Sequence, residues 1–197
     1  QPLVSSSGRY VIVYNGEIYN HICLRKKLEN SSKLSRPWIG QSDTETLLEC
    51  IEVYGLTNTL DLLYGMFAFS LWDSLEKVLY LVRDRFGEKP LYWGALSSNK
   101  FVFTSDLGAI KALSNDSMEI DRSAMSSFFQ LGYIPAPKCI YKGIQQLLPG
   151  HLVAISSDHE GKPINPLPSP KKWWDLSKKC YHQLLNSNED EKNLIYQ

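Results

Sequence analysis

A chain of 197 residues is long enough for one domain with a packed core and too short for a large multidomain enzyme. Its 21 Lys plus Arg balance 21 Asp plus Glu, so no net field gathers nucleic acid or anionic lipid, and 43% apolar with 12% aromatic residues excludes a disordered or fibrous chain. No apolar run reaches the roughly 20 residues of a membrane span, and Cys23, Cys50, Cys139 and Cys180 form no CxxC pair or metal-ligand spacing, which points to a reducing, cytoplasmic setting.

In chain order, Tyr10 to Tyr14 is apolar on both alternating faces and predicts a strand covered on both sides. Asn15-Gly16 then reads as a break. Ile18 to Asn30 carries a moderate amphipathic pattern, Ser31 to Gln41 a loop, and Thr44 to Tyr54 sets Leu47, Leu48, Ile51 and Tyr54 at helical spacing. After Gly65, the residues Phe67, Phe69 and Leu71 form one face of a strand whose other face, Ala68 and Ser70, is thin enough for close packing. Val78 to Val82 returns as the second strand of an antiparallel hairpin, and Leu91 to Gly94 with Phe101 to Thr104 reads as another. Helices follow at Leu107 to Leu113 and at Ser123 to Leu131, the latter capped by Asp121 and ended by Gly132. Prolines at 163, 166, 168 and 170 interrupt any regular element, so Ser156 to Lys172 reads as a weakly ordered excursion and the compact body ends near Leu176.

Three segments carry chemistry or mimic it. Asn15-Gly16 is a strong turn signal, yet a strand ending there also sets a carboxamide donor beside an unshielded backbone N–H, the two parts of an oxyanion hole. Ser42-Asp43-Thr44-Glu45 is a capping box with Asp43 placed well against the helix dipole, and capping alone accounts for the segment; binding of a substrate ammonium by that carboxylate is the sharper alternative. Arg83 to Pro90 is a charge cluster between strands, read as a rigid turn with Asp84 paired to a flanking arginine. The histidines, His21, His151, His159 and His182, have no acid or cysteine at motif spacing and receive no role.

Taken in order, YNGEIYNH (Tyr14 to His21), SDTE (Ser42 to Glu45), GMFAFSLWD (Gly65 to Asp73), RDRFGEKPLYW (Arg83 to Trp93), FTSDLGAIKAL (Phe103 to Leu113) and YIPAPKCIYKGIQQLLPGH (Tyr133 to His151) resemble the glutaminase domain of glutamine-hydrolysing asparagine synthetases. NGEIYN alone would also suit glucosamine-phosphate synthases; the later blocks favour asparagine synthetase. The resemblance runs from about Tyr10 to Trp174 and implies an α+β fold, a four-layer α/β/β/α sandwich of two antiparallel sheets of the N-terminal-nucleophile hydrolase type, incomplete at its N-terminus.

The resemblance further implies glutamine hydrolysis by an N-terminal cysteine whose own α-amine is the base. The ammonia then amidates aspartate, activated with ATP and magnesium in a second domain. Carried onto this sequence, the oxyanion hole falls on the Asn15 side chain and the Gly16 N–H, and the glutamine-binding acids on Glu17 and Asp43, with Asp43 facing the ammonium. The family's first-position cysteine, the segment after it with its carboxylate-binding arginine, and the ATP-binding domain have no counterpart in these residues. The expectation is therefore an internal piece of a longer enzyme: a partial amidotransferase domain over 1–155, the proline-rich end of that domain over 156–176, and a linker over 177–197 toward the synthetase domain. No metal or cofactor site is expected in this piece, which would be inactive alone. Its expected partners are glutamine and its own synthetase domain, with homodimerisation open and neither nucleic acid nor membrane. Two alternatives stand beside this: a synthetase-like enzyme amidating another acceptor such as a sugar acid, and a non-catalytic domain of this fold that binds a partner.

Overall fold

The structure is a computed structural model and describes residues 1–31, 34, 36–96, 100–113, 118–158, 163 and 167–177. Strands β1 (Leu3–Val4), β2 (Tyr10–Ile18), β3 (Gly65–Asp73), β4 (Val78–Arg83), β8 (His151–Ser156) and β9 (Lys171–Lys172) make one antiparallel sheet in the order β1-β2-β3-β4-β8-β9. Between β4 and β8 the chain builds a second antiparallel sheet, β6-β5-β7, from β5 (Tyr92–Ala95), β6 (Phe101–Thr104) and β7 (Ile144–Gln146). Helices α1 (His21–Asn30), α2 (Asp43–Tyr54) and α3 (Leu56–Leu62) precede the β3-β4 hairpin, while α4 (Leu107–Leu113) and α5 (Arg122–Leu131) lie between β6 and β7.

Three apolar clusters fill the three interfaces of a four-layer stack. Ile12, Tyr14, Phe67, Phe69, Leu71 and Val82 pack from the large sheet against Leu24, Leu28, Leu47, Leu48, Ile51 and Leu60 of the first three helices. Ala68, Leu81, Val153 and Ile155, from the opposite face, meet Leu91, Trp93 and Leu147 of the second sheet and its flanks. Beyond that sheet, Ile144 and Leu96 meet Ile110 of α4 and Cys139. The two-faced reading of β3 holds, and it fixes the register: burying a Phe or Leu is worth about 1.5–3 kcal/mol. A one-residue slip would turn Phe67, Phe69 and Leu71 onto the narrow face that Ala68 and Ser70 keep open.

The ends of the helices follow local chemistry. Ser42 Oγ accepts the Glu45 N–H at 3.2 Å, half of the expected capping box. The return bond is replaced, because the Glu45 carboxylate accepts the N–H groups of Ile39 and Gly40 and pairs with Arg25 at 3.3 Å. Asp121 Oδ1 caps α5 through the Ser123 and Ala124 N–H groups, and Gly132, at φ 78°, closes it in the left-handed conformation.

The proline-rich excursion, expected to be weakly ordered around Ser156 to Lys172, makes backbone pairings near both of its ends. Ser157 bridges to Pro163, β9 pairs with His151 and Leu152 of β8, and the Trp173 and Trp174 N–H groups donate to Gly150 O. Prolines bar helix but leave Lys171–Lys172 free to pair as an edge strand. Residues 159–162, 164–166 and most of the expected linker, 178–197, lie outside the described residues.

Asp73 anchors the β3-β4 turn. Burial alone would raise its pKa, but Arg9, gripping both carboxylate oxygens at 2.7–3.1 Å, and the N–H groups of Glu76 and Leu75 hold the carboxyl below its usual range. A depressed folded-state pKa stabilises the fold above the unfolded value of about 3.9, and this is lost as pH falls through the lower folded value. Asp73→Asn is therefore expected to lower Tm at pH 7 and to converge with the parent protein only as pH falls through the depressed folded value, in a pH series of thermal melts. A gap that is the same at every pH would assign the effect to packing.

Candidate active site

The residues expected at a turn lie inside a strand. β2 runs through Asn15 and Gly16, paired in register with Ala68 and Phe67 of β3. Gly16 is there for close approach: a Cβ would stand 2.2 Å from the Met66 carbonyl oxygen and 2.6 Å from Phe67 Cα. The turn reading is thus corrected by the nine-residue ladder with β3, which continues the strand through a dipeptide that favours reversal.

Strand alternation sets what each residue offers. Tyr10, Ile12, Tyr14 and Ile18 point into the helix-side core, while Val13, 45% exposed, shares the opposite face with Asn15 and Glu17. On that face a cavity of about 370 Å³ lies between β2-β3 and the second sheet, lined by Val13, Asn15, Ala68, Ser70, Phe103 and Thr104 among others. The backbone alternates too. The Tyr14 N–H donates to Gln1 Oε1 at 2.7 Å and the Ile18 N–H to Asp43 Oδ2 at 2.9 Å, so both turn away from β3. Gly16, midway between them, presents its N–H along the same outer edge. Asn15 and Gly16 therefore set a carboxamide and a backbone N–H at one corner, where the cavity face meets the strand edge.

Asp43 reaches that edge from the start of α2. Its Oδ2 accepts the Tyr14 hydroxyl at 2.8 Å and the Ile18 N–H, and its Oδ1 accepts the Thr44 hydroxyl at 3.3 Å. Asp43 is not among the residues that line the cavity holding Asn15. It sits two residues, roughly 7 Å, along the edge from Gly16. Tyr14 is a participant that the sequence reading passed over: burial raises its phenol pKa, the bond to Asp43 raises it further, and the hydroxyl fixes the carboxylate. Two tyrosines, Tyr10 and Tyr14, alternating with isoleucine on one buried strand face were the available signal.

The charge cluster is a rigid turn, as expected, but not through an ion pair. Asp84, fully buried, accepts the N–H groups of Phe67, Phe86, Glu88 and Lys89, and Arg83 donates to the carbonyls of Gly87, Lys89 and Leu147. Both charges are spent on backbone groups that a tight loop leaves without ladder partners. The His151 ring bonds the nearby Pro149 carbonyl. Cys50 and Cys139 are buried and their thiols raised, Cys50 to about 12, whereas Cys23 is exposed on α1, across the large sheet from the cavity. Among the described residues no group of three His, Cys, Asp or Glu side chains could hold a metal ion, and no helix is long and apolar enough to cross a membrane.

Two facing antiparallel sheets between helical layers are the architecture of amidotransferases of the N-terminal-nucleophile hydrolase class. Residues 1–167 match the glutamine amidotransferase domain model, and the chain belongs to that family. Among solved structures, the glutamine phosphoribosylpyrophosphate amidotransferase of B. subtilis shares the fold at TM-score 0.55 and 19% identity, over 88% of this chain and 32% of that one. More particularly, the chain is homologous to glutamine-hydrolysing asparagine synthetases. Asparagine synthetase (glutamine-hydrolyzing) 1 of Bacillus subtilis (strain 168) is 35% identical over 158 residues, 80% of this chain and 24% of the relative. Putative asparagine synthetase (glutamine-hydrolyzing) 2 of Methanocaldococcus jannaschii is 34% identical over 70% of this chain and 25% of the relative. The chain thus spans about a quarter of the length of these curated relatives.

Proposed function

We propose that this domain hydrolyses glutamine to glutamate and ammonia as one part of an asparagine synthetase, and that the ammonia amidates an ATP-activated aspartate in a further domain of the same chain. The observation that carries this reading is the Asn15 carboxamide and Gly16 N–H meeting at one open corner of β2. A thiolate that attacks the side-chain carbonyl carbon of glutamine pushes electrons onto its oxygen, and these two donors meet that oxyanion. The C–N bond then breaks, ammonia leaves with the proton first taken from the thiol, and water hydrolyses the thioester to glutamate.

Glu17, on the Asn15 face, and Asp43 are assigned to the glutamine backbone, with the Asp43 Oδ1 side toward the ammonium. The nucleophile, an N-terminal cysteine with its own α-amine as base, is assigned to a segment outside these 197 residues, as are ATP and magnesium. Buried, proton-holding Cys50 and Cys139 make poor nucleophiles, and internal cysteines have no free α-amine. The free thiols of Cys23, Cys50 and Cys139 suit a cytoplasmic enzyme. Similarity to amidase chyE of Penicillium rubens, 30% identical over 89% of this chain and 24% of the relative, supports a second reading in which the domain serves an enzyme other than an asparagine synthetase.

The 197-residue chain is expected to release no ammonia from glutamine above a no-protein control, while a chain with the full span of its relatives does so. Ammonia release by the shorter chain that disappears in Asn15→Ala would place the nucleophile within it, and Cys23 would be the first to replace.

A further inference from the structure

Tyr14 is held from two sides at once. Its backbone stands at the outer edge of β2, where the Gln1 carboxamide meets both its N–H and its carbonyl at 2.7 Å, while its ring is buried on the helix side, 7% exposed. The hydroxyl then reaches Asp43 Oδ2 at 2.8 Å. Asp43 is the first residue of α2, just after the Ser42 cap, where the free N–H groups and the dipole of the helix draw a carboxylate back over the helix end. Its side chain crosses to β2 instead. Both bonds that take it there, from the Tyr14 hydroxyl and from the Ile18 N–H at 2.9 Å, end on Oδ2 and use the two lone pairs of that oxygen. Oδ1 keeps the Thr44 hydroxyl at 3.3 Å, a rotor that is free to turn aside for a ligand. Burial raises the Tyr14 phenol pKa, so the proton stays on the phenol and the bond has one direction, with Tyr14 donating and Asp43 accepting.

We infer that Tyr14 is a positioning residue that sets the preference of the site for an amide carrying an α-ammonium: by occupying Oδ2 it leaves Oδ1 of Asp43 to the substrate; this rests on the proposed function. The same residue bears on both ends of glutamine. Asn15, next in sequence and locked to Ala68 in the ladder, offers the donor for the oxyanion, and the Tyr14 ring carries the acceptor for the ammonium. The spacing of the two ends is therefore set inside β2 and does not follow small shifts of α2. Without the hydroxyl, the Ile18 N–H alone holds the carboxylate, which can rotate about that single bond and swing toward the helix end. An aromatic ring without its oxygen fills the same core position, so the packing and the positioning can be separated.

The test uses the full-length chain, with glutamine as substrate and glutaramate, the same amide without the α-ammonium, as competitor. Tyr14→Phe is expected to raise KM for glutamine about tenfold with kcat within about twofold, the scale and the pattern of losing a hydrogen bond to a charged binding group. The inhibition constant of glutaramate should stay within about twofold. Tyr10→Phe makes the same change on the same strand face, where the ring lies under Arg9 at 4.9 Å, and is expected to leave both constants unchanged. An unchanged KM in Tyr14→Phe, a fall in kcat instead, an equal weakening of glutaramate, or the same rise in Tyr10→Phe would overturn the inference. If glutaramate is too weak to compete, the split between KM and kcat, set against Tyr10→Phe, decides alone. If the parent chain hydrolyses no glutamine, the proposed function fails, and calorimetric binding decides the role of Tyr14: a glutamine Kd weakened about tenfold by Tyr14→Phe and not by Tyr10→Phe supports it, and any other result, absence of binding included, overturns it.

Discussion

Asn15→Ala in the full-length chain is expected to lower glutamine-dependent amide synthesis by roughly 100-fold or more, the scale of losing one oxyanion donor. Synthesis from added ammonia should continue at the parent rate. The size follows from where the side chain stands. Asn15 is exposed on the cavity face and makes no side-chain hydrogen bond among the described residues, so its carboxamide contributes little to the fold. Its backbone is already held by pairing with Ala68, and alanine fits that strand position without strain. A structural role would require a turn for the carboxamide to hold, and β2 has none there. If both activities fell together with the melting temperature, Asn15 would be a stability residue and the assignment of the corner would fail.

How much was legible in the sequence depended on whether the cause was local. Ser42 and Asp121 as caps, Gly132 as a stop and the alternating sizes along Phe67 to Leu71 act within a few residues, and each is found where it was expected. Asn15-Gly16 is also a local signal, but a long-range partner overrides it: Met66 and Phe67 sit so close that only glycine fits opposite them, and the ladder runs on. Helix α3 is seven residues without a clear apolar period, β7 is three long and β9 two. Such pieces exist because a neighbouring strand or helix is already in place, which no window of sequence reports. The site divides in the same way. Its residue types were readable in order, whereas the Tyr14-Asp43 bond, which ties the start of α2 to the edge of β2, joins residues 29 apart.

The second large effect is expected at Asp84, which has no place in the chemistry. Asp84→Ala should destabilise the 197-residue chain by roughly 3–5 kcal/mol in urea unfolding, because four backbone N–H groups lose their acceptor and each buried unpaired donor costs about 1–3 kcal/mol before relaxation. Asn restores one oxygen but turns an NH2 toward donors, so Asp84→Asn should recover only part of the loss. The consequence reaches the site through one bond. Asp84 Oδ2 holds the Phe67 N–H and the Asp84 N–H holds the Phe67 carbonyl, which fixes the residue that faces Gly16 in the β2-β3 ladder. The same loop accepts the Gly150 N–H on the Asp84 carbonyl and the Trp173 indole N–H on the Arg83 carbonyl, and the Arg85 guanidinium lies 6.0 Å from the Trp173 ring centroid. In the full-length chain, Asp84→Ala should therefore lower glutamine hydrolysis and stability together, unlike Asn15→Ala, which lowers hydrolysis alone. A loss below about 1 kcal/mol would mean that water replaces the carboxylate in the loop, and the rigidity assigned to Arg83 to Pro90 would then have another source.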